Sequence, residues 1–187
     1  TGSLQYLSSN TRPDLAAGTS LVQRGGDLTI TDLQKAYKLV EYARNTAEVG
    51  IVIKPVNLDG VVIVGHGDSS WANAEGSKTQ TGFCVFVSNR SVLTESTPCS
   101  LVDWRSSRTK RVVRSTLAAE EIAADTCSDH AYFTAASLEE MLTGHKATLQ
   151  RPSIPCYVCT DCKSLYDAFQ KMTPSLDEKR TLIDVLS

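Results

Sequence analysis

Three features of common protein classes are absent from this sequence. No apolar stretch among its 187 residues approaches the length of a membrane span, and the first residues lack the charged and apolar blocks of a secretory signal. Acidic and basic residues nearly balance, at 21 against 19, so the net charge of -2 offers a polyanion no general attraction. We therefore expect a soluble intracellular protein with no membrane partner, on which any nucleic-acid surface is local.

The cysteines also lack the pattern of a small disulfide-rich scaffold. All six are dispersed through apparent strands and helices, which is typical of reduced thiols in an intracellular protein. Cys156, Cys159 and Cys162 do have the spacing of metal ligands. Strand alternation places the first two on opposite faces, and no fourth ligand is evident nearby, so buried thiols are favoured over a zinc or cluster site.

The most informative stretch is an apolar run that ends in a glycine-flanked carboxylate. Val61–Val64 is rich in β-branched residues without polar alternation, which predicts a strand buried on both faces. Gly65, His66, Gly67 and Asp68 follow, so Asp68 is expected where this strand emerges from the sheet. A lone aspartate there is often only a turn cap, but a carboxylate at this position also suits a metal ion or a basic partner.

The segments on either side of this stretch indicate further elements. Thr31 and Gln34 form a capping-box pattern for an amphipathic helix that ends before Gly50, and residues 51–56 are expected to form a strand interrupted by Pro55. After a polar loop through Gln80, residues 81–87 and 101–106 are predicted strands. Short polar connections between the central strand and these two predict an antiparallel meander.

A basic segment follows the third predicted strand. Five cations fall within ten residues, which is the pattern either of a solvated loop or of a surface that contacts phosphates. They are Arg105, Arg108, Lys110, Arg111 and Arg114. Because phosphate contacts carry no sequence information, a nucleic acid bound here would be recognised with little sequence preference.

A long helix is predicted from about Leu117 to Leu142, with Ser115 or Thr116 as its cap. At 100° per residue an apolar stripe faces the sheet, and Glu120 lies within this stripe. Glu121 is expected at its edge, directed toward solvent. The stripe consists of Leu117, Ala124, Cys127, Ala131, Ala135, Leu138 and Leu142.

Beyond this helix, residues 154–161 are predicted to form a strand that ends in a second aspartate, Asp161. A strand reached after a helical crossover runs parallel to its neighbour, so Asp68 and Asp161 are expected at the same end of adjacent strands. A helix over residues 163–171 follows. Ser175 and Glu178 form another capping box, which opens a helix carrying Asp184.

Asp68 and Asp161, with Glu120 from the first turns of the packed helix, would then converge on one spot. Carboxylates packed together raise one another's pKa values and suit hard divalent cations. Two Mg²⁺ ions held in such a site can position a phosphodiester, activate a water molecule and stabilise the leaving oxygen. The pattern therefore predicts metal-assisted phosphodiester hydrolysis.

An ordered series of motifs supports this interpretation. Those outside the catalytic segments are Gly2-Ser3-Leu4-Gln5-Tyr6-Leu7, Thr11-Arg12-Pro13-Asp14-Leu15, Thr81-Gly82-Phe83 and Trp104-Arg105-Ser106. The others are Asp68-Ser69-Ser70-Trp71-Ala72, Ser115-Thr116-Leu117-Ala118-Ala119-Glu120 and Thr160-Asp161-Cys162-Lys163-Ser164. In this order they resemble the C-terminal part of copia-type LTR retrotransposon polyproteins, where reverse transcriptase runs into its ribonuclease H domain.

The resemblance implies a fold, a site and partners. It implies an α/β, ribonuclease H-like mixed sheet with packed helices over residues 55–187, and the end of the reverse transcriptase or a connection segment over residues 1–50. Asp68, Glu120, Asp161 and Asp184 match the family's four catalytic, metal-binding carboxylates, which take two Mg²⁺ or Mn²⁺ ions. The implied partners are an RNA:DNA hybrid and the reverse transcriptase portion of the same polyprotein, in a cytoplasmic particle or the nucleus.

The sequence departs from the family pattern at three places. Ser70 stands where a second acidic residue is common. Cys162 follows Asp161 where the family often has asparagine, and Thr181 to Asp184 lacks the histidine of the fourth motif. One alternative function is a catalytically weak or inactive domain that holds the hybrid without cutting it. Another is a related nuclease or strand transferase that acts on DNA, because the same metal chemistry serves both.

Overall fold

The protein is described from a computed structural model that covers residues 2–23, 29–74, 78–110, 112–145 and 152–171. The helices are α1 (Gly2–Asn10), α2 (Ala16–Val22), α3 (Ile30–Asn45), α4 (Thr116–Thr143) and α5 (Lys163–Lys171). The strands are β1 (Val61–Ala74), β2 (Lys78–Asn89), β3 (Ser100–Arg108) and β4 (Cys156–Cys159). Short 3-10 helices cover Pro13–Leu15 and Arg90–Leu93.

The four strands form one open, mixed sheet in the order β3-β2-β1-β4. The pairs β1–β2 and β2–β3 are antiparallel, which confirms the predicted meander. Strand β4 pairs with β1 in parallel, with Ile63 opposite Cys156 and His66 opposite Cys159. The crossover between these parallel strands contains α4, so the α/β class and the parallel arrangement are both as the sequence predicts.

Strand β1 is the centre of this sheet and is longer than expected. Val61 to Val64 are buried, as predicted for a strand covered on both faces. The strand does not end at Asp68, however, because β2 continues to pair with it beyond that point, with Asp68 opposite Gly82 and Ser70 opposite Gln80. The polar loop expected up to Gln80 is therefore mostly paired strand. Pairing with β4 stops at His66, so Asp68 lies just past the end of the parallel pair.

Helix α4 packs on β1 and β2 with a face made mostly of small residues. Ser115 caps its N-terminus by accepting a hydrogen bond from the Ala118 amide at 3.1 Å, and Gly144 ends it with a φ of 70°. The buried face is wider than the predicted stripe and ends earlier, since Leu142 is exposed. The main apolar core consists of Val61, Ile63, Phe83, Val85, Cys127, Ala131, Ala135 and Ile154.

The close approach of α4 to β1 depends on two glycines of the strand. A Cβ added at Gly67 would lie 2.8 Å from the Ala123 carbonyl oxygen, and one at Gly65 would lie 2.6 Å from the Cys127 Sγ. Neither distance is compatible with a real side chain. The backbones of helix and strand therefore meet directly at the turn of α4 that follows Glu120.

The N-terminal helices pack against the edge strand β3. The Trp104 indole Nε1 donates to the Ser8 carbonyl at 2.6 Å, and Arg108 Nη2 donates to the carbonyls of Ser20 and Gln23 at 3.3 and 2.7 Å. Residues of α1 and α2 thus contribute to the surroundings of the sheet. The proposed boundary between residues 1–50 and 55–187 stays a prediction.

Helix α3 is joined to these helices through a buried arginine. Arg12 bonds both carboxylate oxygens of Asp14, at 2.9 and 2.7 Å, and the Thr46 carbonyl at 2.9 Å. The hydrogen bond from Arg12 holds the pKa of Asp14 below its ordinary value. The cap of α3 is the Thr29–Asp32 pair and not Thr31–Gln34, because the helix begins at Ile30, one residue after Thr29.

Two expectations for residues 30–60 are wrong. Helix α3 has no buried residue, and Leu33 and Tyr37 of its predicted apolar face are 58% and 68% exposed. Leu39 packs against Gly18 of α2 instead. Residues 51–56 form no strand. Pro55 has no N–H for a ladder, and Lys54 bonds through its backbone to the Ser100 hydroxyl instead.

No described helix is both long and apolar enough to cross a membrane.

The six cysteines are all free thiols. Burial raises the pKa of Cys127 and of Cys156 to about 11, so both thiols are protonated at neutral pH.

The contact between β1 and α4 yields a prediction about stability. Gly67→Ala should destabilise the fold by about 1–3 kcal/mol, because the added methyl group meets the rigid backbone of α4. Urea unfolding measures this change. Gly82→Ala is the matched control, since its Cβ would lie 3.4 Å from the nearest atom and is tolerated. Equal stability of the two variants would contradict the proposed contact.

Candidate metal site

Three carboxylates from three different elements meet at one edge of the sheet. Asp68 comes from β1, Glu120 from the second turn of α4, and Asp161 from the link between β4 and α5. One oxygen of each lies within 4.8 Å of the others, which is the spacing of groups that can share a cation. Within the described residues this is the one such group of acidic, histidine or cysteine side chains.

Asp68 and Asp161 are exposed, and the end of β4 explains why they meet. The pairing of β1 with β4 stops at His66 and Cys159. Each aspartate follows two residues later, so both lie at the same end of the two parallel strands. The Asp68 Oδ1 accepts a hydrogen bond from the Ser69 amide at 2.7 Å. The predicted strand over residues 154–161 is shorter, since Thr160 and Asp161 lie beyond it.

Glu120 is the buried member, with 7% of its surface exposed. Its Oε1 accepts a hydrogen bond from the Ser69 hydroxyl at 2.7 Å, whereas its Oε2 has no partner among the described residues. Burial raises the pKa of Glu120, the charges of Asp68 and Asp161 raise it further, and the Ser69 hydrogen bond opposes them. A buried, unpartnered oxygen beside two other carboxylates fits a divalent cation.

Ser69 is a residue that the sequence analysis did not identify. It joins two of the carboxylates, because its amide bonds Asp68 and its hydroxyl bonds Glu120. No spacing rule singles out a serine in a strand, so only the packing of α4 on β1 identifies it. Its position gives it the role of orienting Glu120 toward the shared spot.

The prediction that Glu121 faces solvent is wrong. Glu121 is 6% exposed and lines a cavity of about 400 Å³ with Val158, Tyr166 and Phe169. A helical phase based on packing against one face of the sheet omits β4 and α5, which cover a second flank of α4. Glu121 does not belong to the group of carboxylates within 4.8 Å of one another. Glu120 and Glu121 are equally buried, so their burial does not show which of them belongs to the site.

The remaining predicted residues divide into three sets. Arg105, Lys110 and Arg114 are exposed on β3 and on the loop before α4, whereas Arg108 is half-buried against α2. The Trp71 indole donates to the Val113 carbonyl at 3.1 Å, which connects this loop to β1. Arg111 and Asp184 lie outside the described residues.

The cysteine alternative finds no support among the described residues, and no described histidine belongs to the carboxylate group. Cys156 packs against the core and Cys159 is exposed, in keeping with opposite faces of β4. His66 is exposed and lines a shallow cavity beside Asp68, and His145 is exposed after the end of α4. A further histidine, His130, bonds Asp103 on β3 at 2.6 Å and lies against the Phe83 ring.

Comparison with protein-family models, with characterised proteins and with solved structures gives no match for this chain. The geometry of the site and the motifs of the sequence therefore carry the functional argument.

Glu120→Gln should weaken Mn²⁺ binding by at least about tenfold, because it removes the buried anionic ligand. Without metal the same variant should melt at a higher temperature than the parent at neutral pH. The raised pKa means that ionised Glu120 costs stability, a cost that appears as the pH rises above the ordinary value of 4.5 and vanishes below it. Titration calorimetry and thermal melts in EDTA measure the two effects.

Glu121→Gln is the matched control for metal binding. It makes the same chemical change one residue along α4, in a side chain that is equally buried but directed into a different cavity. Its affinity for Mn²⁺ should stay within about twofold of the parent value. Loss of binding in Glu121→Gln with retention in Glu120→Gln would contradict the site.

Proposed function

We propose that this chain is a metal-dependent ribonuclease H that hydrolyses the RNA strand of RNA:DNA hybrids, as the copia-type resemblance implies. The observation that carries the proposal is the meeting of Asp68, Glu120 and Asp161 within 4.8 Å. The mixed sheet with a parallel β1–β4 pair and α4 packed on it is compatible with a ribonuclease H-like fold. The partners proposed with it are the hybrid and the reverse transcriptase portion of the same polyprotein.

The residues of the site have separate tasks in this proposal. Asp68, Glu120 and Asp161 hold the divalent cation, and Asp184, outside the described residues, stays the predicted fourth ligand. Bound Mg²⁺ or Mn²⁺ supplies an activated water and neutralises charge at the phosphodiester. Ser69 keeps the Glu120 carboxylate turned toward Asp68, so that the ligands are positioned before substrate arrives.

The negative charge of the carboxylate site means that the nucleic acid must be received by a different, positively charged surface. Three carboxylates without a cation repel a polyanion, so binding requires positive groups close by. Lys110 and Arg114 are exposed in the loop between β3 and α4, and the N-terminus of α4 adds its own positive end. A phosphate bound at the N-terminus of α4 would lie about one helical turn from Glu120, which is the fifth residue of this helix.

The test of the function is cleavage of defined duplexes. The full chain with Mg²⁺ or Mn²⁺ should cut the RNA strand of a labelled RNA:DNA hybrid, and Asp68→Asn and Glu120→Gln should each remove activity above background. Double-stranded RNA and double-stranded DNA serve as parallel substrates. Cleavage of DNA in preference to the hybrid would favour the nuclease or strand-transferase alternative, and binding without cleavage would favour the inactive one.

The basic loop yields a separate prediction about binding. Replacing Lys110 and Arg114 together by glutamine should lower hybrid affinity and reduce the slope of log K against log salt by about two, one for each lost phosphate contact. Fluorescence anisotropy in EDTA measures this without cleavage. The matched control replaces Arg44 and Arg90 by glutamine and should not change the slope. Arg44 is exposed on α3, and Arg90 is exposed just after the last residue of β2.

A further inference from the structure

A polar cavity lies between the edge strand β3 and the two N-terminal helices. Its volume is about 530 Å³. None of the described residues that line it carries a negative charge, whereas two of them are arginines, so the cavity favours an anion. The lining is Gln5, Ser8, Ser9, Ala16, Ser20, Gln23 and residues 104–108.

Arg108 places a guanidinium among the residues of this cavity. Its Nη2 donates to the Ser20 and Gln23 carbonyls, which fixes the side chain against the end of α2. A guanidinium has five N–H donors, and these two bonds leave its Nε and Nη1 hydrogens for another acceptor. The cation is held in place before any ligand binds, which lowers the entropy cost of recognition.

Three hydroxyl groups of the cavity act as acceptors within the protein. Gln80 Nε2 donates to Ser20 Oγ at 3.0 Å and to Ser106 Oγ at 2.8 Å, and Gln5 Nε2 donates to Ser9 Oγ at 2.8 Å. A hydroxyl that accepts such a bond keeps its own proton for donation. With Arg108, the cavity therefore offers several donors to one anion, and phosphate oxygens accept them well.

A second cavity connects this one to the carboxylate site. It has a volume of about 310 Å³, and its lining includes Asp68, Gly82 and Cys84. The two cavities share Ala16, Trp104, Arg105 and Ser106. Together they extend across the sheet from the metal site to Arg108.

The sheet register gives the distance that this path covers. Asp68 pairs with Gly82, and Gly82 pairs with Ser106, so two strand spacings, or about 10 Å, separate Asp68 from Ser106. Phosphates recur about every 3.4 Å along the axis of each strand of a duplex. A nucleic-acid strand that is cut at Asp68 would therefore carry further phosphates about 10 Å away, at the distance of the polar cavity.

We infer that the polar cavity between β3 and helices α1 and α2 binds a backbone phosphate of the nucleic acid, a few nucleotides from the bond held at the carboxylate site. The inference rests on the proposed function and deepens it, because it makes the N-terminal helices part of the substrate surface. The ligand chemistry is a phosphodiester recognised by Arg108 and by the hydroxyls of Ser9, Ser20 and Ser106.

Trp104 provides a signal from inside this cavity. It lines both cavities, and the chain has one other tryptophan, Trp71. In a Trp71→Phe background of the full chain, titration with an RNA:DNA hybrid in EDTA should change Trp104 emission saturably. If the emission does not change, whether or not the hybrid binds elsewhere, the inference is overturned.

Charge variants test the same cavity without removing Arg108. Ser9→Asp, which adds a negative charge to the wall, should weaken hybrid binding about tenfold through repulsion of the phosphate. Ser3→Asp makes the same change at an exposed residue of α1 that does not line the cavity, and its affinity should stay within about twofold. Equal effects of the two substitutions would overturn the inference.

Arg108 itself is tested by a pair of substitutions. Arg108→Gln should weaken hybrid binding and lower the salt slope by about one, and Arg108→Lys should restore most of the slope because the charge returns. Thermal melts of both variants separate lost binding from lost packing against α2. Equal salt slopes for the two variants would contradict a phosphate contact at Arg108.

Two further arms separate the possible ligands and the two proposals. In one arm, inorganic phosphate is titrated with and without the hybrid. If phosphate saturates the Trp104 response and the hybrid does not compete with it, the cavity binds free anions and the nucleic-acid inference is overturned. These binding measurements contain no divalent metal, so they do not depend on cleavage. A hybrid that gives the Trp104 response but is not cut with Mg²⁺ would contradict the proposed function and leave the cavity inference standing.

Discussion

The direct contact between the backbones of β1 and α4 is the constraint on which the candidate site depends. Gly67 leaves no side chain between the strand and the Ala123 carbonyl, Gly65 makes room for the Cys127 thiol, and the small residues of α4 allow the same approach from the other side. This places Glu120 within hydrogen-bond distance of Ser69.

The electrostatics of the molecule follow from that contact. Packing α4 closely on the sheet buries one carboxylate beside two exposed ones. Burial raises the pKa of Glu120, and the charges of Asp68 and Asp161 add to the rise. Because its pKa is raised, ionised Glu120 costs stability when no cation is present. The positive groups lie outside it, on the loop before α4 and beside β3.

Much of the fold and the main part of the site could be predicted from residues alone. Uninterrupted β-branched residues predicted the buried start of β1. The N-cap of α4 and its two ends, each within one residue, were also predicted from the sequence. The crossover rule then predicted a parallel β4. Asp68, Glu120 and Asp161 could be named together because each sits at a definite place in an element that local patterns identify.

Other features were decided by the tertiary structure, because they depend on which element covers which face. Periodicity along α4 cannot show that α5 and β4 bury Glu121, nor that β2 extends β1 past Asp68. Two hydrogen bonds join residues that are far apart in the chain. One runs from Ser69 to Glu120, and the other runs from Arg108, a member of the basic segment, to the end of α2. By itself the sequence determined the elements and the three carboxylates they carry; only the packing of helices on the sheet decided how those groups are oriented, because orientation depends on contacts between distant segments.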